Sequence, residues 1–152
     1  MSGDREEPAE AETPAPPCPY LYLDSSAILR PVLEQGLSPE IGQWIDAAEI
    51  LITSRLSLVE TARAFLRVRL MGDRPEALIA DAERDVQALL RRCEIWELSR
   101  EVCERAQLVA PSLVLRSRDA LHLATYSLAR REIEGLELLT TDDRLQRAVE
   151  SV

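Results

Sequence analysis

Short apolar runs alternate along the chain with longer segments in which apolar side chains recur at helical spacing. The short runs are rich in residues that suit a buried strand, and a helical pattern follows each of them. These strand candidates are residues 20–23, 49–54, 93–99 and 136–141. Because strands separated by helices favour a parallel sheet covered on both faces, the pattern predicts an α/β fold.

The segments between these runs predict the helices that cover the sheet. Pro31 is expected to disturb the first helix, and Ser38 to cap the second. Gly72 separates the third and fourth helices, which we expect to pair. The predicted helices are residues 27–35, 39–48, 56–70, 75–90, 102–109, 117–131 and 144–150.

The first 19 residues depart from this pattern. They combine Pro, Glu and Ala with few large apolar side chains, a composition that cannot bury enough surface to fold alone. We therefore predict a disordered acidic tail over residues 1–19 and one folded domain over residues 20–152. The chain has no apolar stretch suited to a signal peptide or a membrane span, so we expect a cytoplasmic protein with reduced thiols.

The formal net charge of −9 disfavours a nucleic-acid partner, because binding to a phosphate backbone usually draws on cationic surface. The predicted tail alone holds a net charge of −4, which leaves a smaller excess on the folded domain. All 18 basic residues are Arg, whose forked donors suit phosphate or carboxylate. A coding bias explains this Arg usage equally well.

Four acidic side chains lie at boundaries between predicted elements: Asp24, Glu60, Asp119 and Asp142. Each has a structural explanation when taken alone, since Asp suits a helix cap and Ser57 with Glu60 fits a capping box. In a parallel sheet, however, positions after strand ends gather at one edge. We therefore expect the four carboxylates to converge there.

Converging carboxylates repel one another unless they are protonated or neutralised by cations. Ligand sets made only of oxygen atoms suit Mg²⁺ or Mn²⁺. Such ions activate water and stabilise the charge that develops on a phosphodiester. The acids therefore predict metal-dependent phosphodiester hydrolysis.

Four sequence segments in one order resemble the PIN-domain ribonucleases, most closely the VapC-type toxins of bacterial toxin–antitoxin (VapBC) pairs. The segments read YLDSSAIL, SRLSLVETARAFL, SRDALHLATY and LLTTDDRL, and the resemblance covers about residues 20–150. It implies a three-layer α/β/α fold with a central parallel sheet flanked by helices. It further implies an RNA substrate, a homodimer and a VapB-like antitoxin encoded beside the toxin.

The resemblance also implies roles for individual residues. The catalytic quartet that binds Mg²⁺ or Mn²⁺ would be Asp24, Glu60, Asp119 and Asp142. Ser26 and Thr140 would steady the first and last acids. The pattern T-x-D-x-x-L favours Asp142 as the fourth acid, with Asp143 as the alternative.

Three further residues near the acids allow a functional hypothesis beside the structural one. Arg118 and Arg144 flank acids of the quartet, where guanidinium groups could hold RNA phosphates; surface ion pairs are the alternative. His122 follows Asp119 by three residues and shares its helix face, which favours packing near the site over general-base catalysis.

The function that the sequence favours is a metal-dependent endoribonuclease that acts as a VapBC-type toxin. A housekeeping PIN-domain nuclease without an antitoxin is one alternative. A catalytically silent interaction module, with an acidic crevice that receives an Arg-bearing partner, is the other.

Overall fold

The structure is a computed structural model that describes residues 18–34 and 39–152. Its strands within these residues are β1 (Tyr20–Leu23), β2 (Ile50–Ser54), β3 (Cys93–Trp96) and β4 (Glu137–Leu139). They form one sheet in the order β3-β2-β1-β4, and every neighbouring pair is parallel. Each strand lies inside a segment predicted from the sequence, so the predicted parallel sheet is confirmed.

Helices connect and cover the strands. In the described residues they are α1 (Ser25–Leu33), α2 (Pro39–Ala47), α3 (Arg55–Met71), α4 (Glu76–Arg92), α5 (Arg100–Ala106), α6 (Ser117–Glu132) and α7 (Asp143–Val149). Gly72 ends α3 in the left-handed conformation, at a φ of 68°. Pro31 does not end α1, which continues to Leu33. The predicted end at Gln35 and the predicted cap Ser38 lie outside the described residues.

Both faces of the sheet are buried. Because successive side chains of a strand point to opposite faces, Leu21 and Leu23 pack toward α1, α3 and α4, whereas Tyr22 packs toward α6 and α7. The two apolar layers include Phe65 on one side and Leu123 on the other, both almost fully buried. The molecule is therefore the three-layer α/β/α structure that the resemblance implied.

Two residues ahead of β1 already contact the sheet. The Pro19 carbonyl accepts hydrogen bonds from the N–H groups of Glu49 (2.8 Å) and Ile50 (3.2 Å). Cys18 is buried, and its thiol donates to the Gly135 carbonyl at 2.6 Å. Residues 1–17, which make up the rest of the predicted tail, lie outside the described residues.

The cysteines are free thiols, as the sequence predicts: Cys18 and Cys93 are buried and Cys103 is exposed. Among the helices of residues 18–34 and 39–152, none combines the length and the apolar character needed to cross a membrane.

The parallel arrangement places the carboxyl ends of β1, β2 and β4 at one edge of the sheet. The chain turns there into α1, α3 and α7. The start of α6 lies at the same edge. This is shown by Asp119, which lines one surface pocket together with residues from α1, α3 and the turn before α7. This edge is where the sequence predicted the acids to meet.

Candidate active site

A surface pocket of about 550 Å³ opens at this edge of the sheet, and we call it the acidic pocket. All four predicted acids line it. Its polar lining comprises Asp24, Ser25, Ser26, Arg30, Glu34, Glu60, Arg67, Arg118, Asp119, His122, Thr141 and Asp142. The sheet topology thus brings four acids, from distant parts of the sequence, to one place.

Asp24 is both the cap of α1 and a wall of the acidic pocket. Its Oδ1 accepts a hydrogen bond from the Ala27 N–H at 2.9 Å, the bond that caps the helix. The Ser26 hydroxyl donates to Oδ1 at 2.7 Å, and the Thr140 hydroxyl donates to Oδ2 at 2.7 Å. Burial raises the pKa of Asp24 above its ordinary value, although these three hydrogen bonds oppose the shift. The residue that caps α1 is therefore also a residue that lines the acidic pocket.

Asp119 carries a buried oxygen atom without a partner. The residue is 5% exposed, and its Oδ2 has no hydrogen-bond partner among the described residues. Its Oδ1 lies 3.6 Å from Nε of Arg118. Because an unpaired buried carboxylate oxygen is costly, this atom indicates a site for a ligand that compensates negative charge.

Glu60 extends from the second turn of α3 and contacts the only histidine of the chain. Its Oε2 accepts a hydrogen bond from Nε2 of His122 at 2.7 Å, and its Oε1 lies 4.0 Å from Nε of Arg118. Burial alone would raise the pKa of Glu60. The hydrogen bonds from His122 and Ser25, together with the positive charge nearby, outweigh burial, so the pKa lies below its ordinary value.

Asp142 caps α7 and lines the acidic pocket. Its Oδ1 accepts hydrogen bonds from the N–H groups of Arg144 (2.8 Å) and Leu145 (3.2 Å). Burial would raise its pKa slightly, but these bonds and the Arg144 charge hold the pKa below its ordinary value. Asp143 is exposed and does not line the acidic pocket, so the geometry favours Asp142 of the two candidates.

The two predicted RNA-binding arginines differ in position. Arg118 lines the acidic pocket with its side chain half exposed, beside Glu60 and Asp119. Arg144 is exposed at the start of α7 and is not part of the lining. Arg67 lines the acidic pocket as well, on the side formed by α3.

Sequence reasoning missed Tyr22, which it treated only as a strand residue. Tyr22 is fully buried, and its hydroxyl lies 3.0 Å from Nδ1 of His122, on the side of the imidazole ring opposite Glu60. One signal was available, because Tyr22 and Asp24 are two residues apart and therefore point to the same face of the sheet.

The donor set of the acidic pocket fits Mg²⁺ or Mn²⁺, since it consists of carboxylate oxygens, one of which is buried and unpaired. In the described part of the chain, however, no three acidic, imidazole or thiol side chains form a ready-made metal site. Glu60 is hydrogen-bonded to His122, and Asp142 to the backbone of α7. The residues therefore fit an oxygen-preferring cation in two respects: their donor atoms are carboxylate oxygens, and they line one pocket.

A family model described as PIN domain matches residues 21–150. Ribonuclease VapC35 of Mycobacterium tuberculosis is 33% identical over 134 residues, which cover 87% of this chain and 91% of that protein. Ribonuclease VapC47 of the same organism is 30% identical over 129 residues, or 82% of this chain and 86% of that protein.

Two solved structures have the same fold. The crystal structure of PAE2754 from Pyrobaculum aerophilum matches with a TM-score of 0.62 at 22% identity, over 88% of this chain and 81% of that one. VapBC2 from Rickettsia felis, bound to a DNA fragment from their promoter, matches with a TM-score of 0.52 at 12% identity, over 81% of this chain and 99% of that one.

Proposed function

The chain belongs to the PIN domain family, and we propose on this premise that it is an endoribonuclease toxin of the VapC type. The identity with Ribonuclease VapC35 extends over most of both chains and supports this assignment. The observation that carries the proposal is the acidic pocket, in which the four predicted acids meet at one edge of the sheet and one buried Asp119 oxygen lacks a partner among the described residues.

Within this proposal, Asp24, Glu60, Asp119 and Asp142 hold one or more Mg²⁺ or Mn²⁺ ions. When bound, such an ion would activate water and neutralise charge on the phosphodiester. The chain itself fixes Asp24 through the Ser26 and Thr140 hydroxyls, so that its carboxylate keeps one orientation. Asp119 supplies the oxygen that is left without a partner.

Arg118 is the residue that we propose to hold RNA at the acidic pocket. Its half-exposed guanidinium stands beside Glu60 and Asp119, where it can offer paired N–H donors to a phosphate group. Arg144, exposed at the start of α7, would extend the same basic rim. Arginines of this kind suit recognition of RNA by its shape and by its single-stranded segments, rather than by base edges in a groove.

The remaining proposals follow from the family resemblance. We propose a VapB-like antitoxin as the partner, a homodimer as the assembly and the cytoplasm as the location. The name of the VapBC2 structure supports the first of these.

The test is cleavage of total cellular RNA by purified protein that is free of antitoxin, with Mg²⁺ or Mn²⁺ and with EDTA. Asp24→Asn removes one acid of the pocket, and Asp143→Asn is the matched control, because that acid is exposed and outside the acidic pocket. We expect metal-dependent cleavage by the wild type and by Asp143→Asn. Asp24→Asn should lose at least about 100-fold, since losing even an outer-shell partner of a metal ligand costs about 10–100-fold.

Cleavage that needs neither metal nor Asp24 would indicate a contaminating nuclease and contradict the proposal. If the wild type cleaves no RNA but binds an Arg-bearing partner, the result would instead support the interaction-module alternative.

A further inference from the structure

A row of hydrogen bonds runs from the interior of the molecule to the acidic pocket. The Tyr22 hydroxyl, on β1, lies 3.0 Å from Nδ1 of His122 on α6. Nε2 of the same imidazole lies 2.7 Å from Oε2 of Glu60 on α3. Tyr22 is 0% and His122 2% exposed, whereas the Glu60 side chain is 16% exposed; His122 and Glu60 line the acidic pocket, and Tyr22 does not.

The chemistry of the end groups fixes the direction of these bonds. A carboxylate can only accept, so Nε2 of His122 must carry the hydrogen that points at Glu60. In a neutral imidazole the other nitrogen then accepts, and the Tyr22 hydroxyl supplies the donor. The row therefore reads Tyr22 O–H to Nδ1, and Nε2–H to Oε2 of Glu60.

Packing holds the imidazole in place. The Tyr22 and His122 rings meet edge to face, with their centroids 6.1 Å apart and their planes at 77°. The rings of Tyr22 and Tyr126 also meet edge to face, with their centroids 5.9 Å apart. Since both ring nitrogens of His122 are paired and the ring is buried, the bond to Glu60 has little freedom to move.

We propose that His122 is a positioning residue, which holds the Glu60 carboxylate in one orientation at the acidic pocket while Tyr22 selects the tautomer of the ring. This inference rests on the proposed function, in which Glu60 is a metal ligand. With Oε2 held by His122, Oε1 is the oxygen that stays open toward Arg118 and the pocket. A histidine that merely fills the core would have no effect on how the pocket binds a cation.

The first experiment measures Mn²⁺ affinity by calorimetry on the full untagged chain without RNA. His122→Leu removes both nitrogens, whereas His122→Gln keeps an N–H near the position of Nε2. We expect His122→Leu to weaken Mn²⁺ binding by about 10–100-fold, the usual cost of losing an outer-shell partner, and His122→Gln to restore most of it. Tyr22→Phe should fall between them.

Tyr126→Phe is the matched control for Tyr22→Phe. Tyr126 belongs to the same buried layer, but its hydroxyl donates to the Leu136 carbonyl and does not contact His122. Its loss should leave Mn²⁺ affinity unchanged. Circular dichroism on each variant establishes that it is folded.

The second experiment needs no substitution at His122 and decides the matter if His122→Leu does not fold. Because the chain has one histidine, the imidazole signals of a ¹⁵N-histidine-labelled sample belong to His122 alone. We expect the Nε2–H tautomer only, and signals that shift when diamagnetic Mg²⁺ is added. In Glu60→Gln the Mg²⁺-dependent shift should disappear.

The outcomes separate this inference from the proposed function. If wild type binds Mn²⁺ and Glu60→Gln weakens that binding, but folded His122→Leu binds as wild type does, the positioning role is wrong and the function stands. An Nδ1–H tautomer, or equal losses in His122→Gln and His122→Leu, would also overturn the positioning role. A wild-type chain that binds no Mn²⁺ would overturn both.

Discussion

At the scale of single residues, Asp24 combines two roles that compete when the sequence is considered alone. It caps α1 through the Ala27 N–H, and it lines the acidic pocket. The hydroxyls of Ser26 and Thr140 complete its hydrogen bonds, yet it remains a carboxylate that is 4% exposed. Burial of a charge at a pocket is a feature of sites whose ligand supplies the missing compensation.

We predict that Asp24→Asn raises the melting temperature of the metal-free chain at pH 7. The pKa of Asp24 is higher in the folded state than in the unfolded state, so folding favours the protonated form. The stability that this proton contributes is lost as the pH rises through the folded-state pKa. At pH 7 the ionised carboxylate therefore opposes folding, and Asn removes the charge while it keeps an acceptor for the Ala27 N–H. Each kcal/mol gained should add about 2–4 °C, as measured by calorimetry in EDTA.

The same experiment has an internal check. The difference between wild type and Asp24→Asn should shrink toward about pH 4, near the ordinary pKa of Asp. Mn²⁺ should raise the melting temperature of the wild type and have little effect on the variant, because a ligand stabilises only the state that binds it. Asp73→Asn, at an exposed acid, is the control. If Asp24→Asn melted at a lower temperature than the wild type in EDTA, the buried carboxylate would not destabilise the metal-free fold and the prediction would be wrong.

At the scale of secondary-structure elements, helix caps explain the positions of Asp24 and Asp142. The capping box of Ser57 and Glu60 does not form, because α3 is capped by Ser54, and Asp119 lies inside α6 and does not cap it. Asp24 precedes α1 and Asp142 precedes α7, and each accepts a hydrogen bond from a backbone N–H of the first turn. These turns stand at the carboxyl ends of β1 and β4, so the residues that begin the helices also reach the acidic pocket. Asp24 and Asp142 can therefore each cap a helix and line the acidic pocket, because both helices begin at the carboxyl ends of strands.

We predict that Asp142→Ala lowers the free energy of unfolding more than Asp143→Ala does. Asp142 accepts from two N–H groups of α7, and loss of an N-cap costs about 0.5–2 kcal/mol. Asp143 is an exposed first-turn residue, whose charge contributes about 0.3–1 kcal/mol through the helix dipole. Urea unfolding of both variants, in EDTA, measures the difference. The opposite ranking would make Asp143 the structural cap and reopen the choice of the fourth acid.

At the scale of the whole molecule, the described chain begins with two residues that precede β1 and are hydrogen-bonded to the folded domain. Pro19 bonds to the backbone before and at the start of β2, and Cys18 is buried against the Gly135 carbonyl. The folded unit therefore includes these two residues, which stand ahead of the boundary predicted at residue 20.

We predict that a chain of residues 18–152 keeps the stability and the RNA cleavage of the full chain. The contacts of Cys18 and Pro19 are retained in it. The sequence of residues 1–17 is rich in Pro, Glu and Ala and poor in large apolar side chains, a composition typical of segments that do not fold alone. Thermal melting and the cleavage assay, run side by side on both chains, measure the effect. A shorter chain that melts several degrees lower would mean that residues 1–17 contribute to the folded unit.

The sequence by itself determined the elements and the family. Strands and helices follow from local periodicity, and Gly72 and the capping acids mark where helices begin or end, so most elements start and stop close to where the pattern predicts. The segments β3 and β4 are shorter than predicted: the strands end at Trp96 and Leu139, and the predicted residues beyond them, 97–99 and 140–141, are mostly polar. The parallel sheet follows from the alternation, and it brings the four acids to one edge.

Only the tertiary structure decided which atoms those acids meet. The bond from Thr140 to Asp24 joins residues 116 positions apart, that from His122 to Glu60 joins residues 62 apart, and that from Tyr22 to His122 joins residues 100 apart. A hydrogen bond requires its atoms to approach within about 3 Å, and that distance depends on how three layers pack rather than on any local pattern. The buried oxygen of Asp119 is known for the same reason, since the absence of a partner can be seen only when all the neighbours are in place.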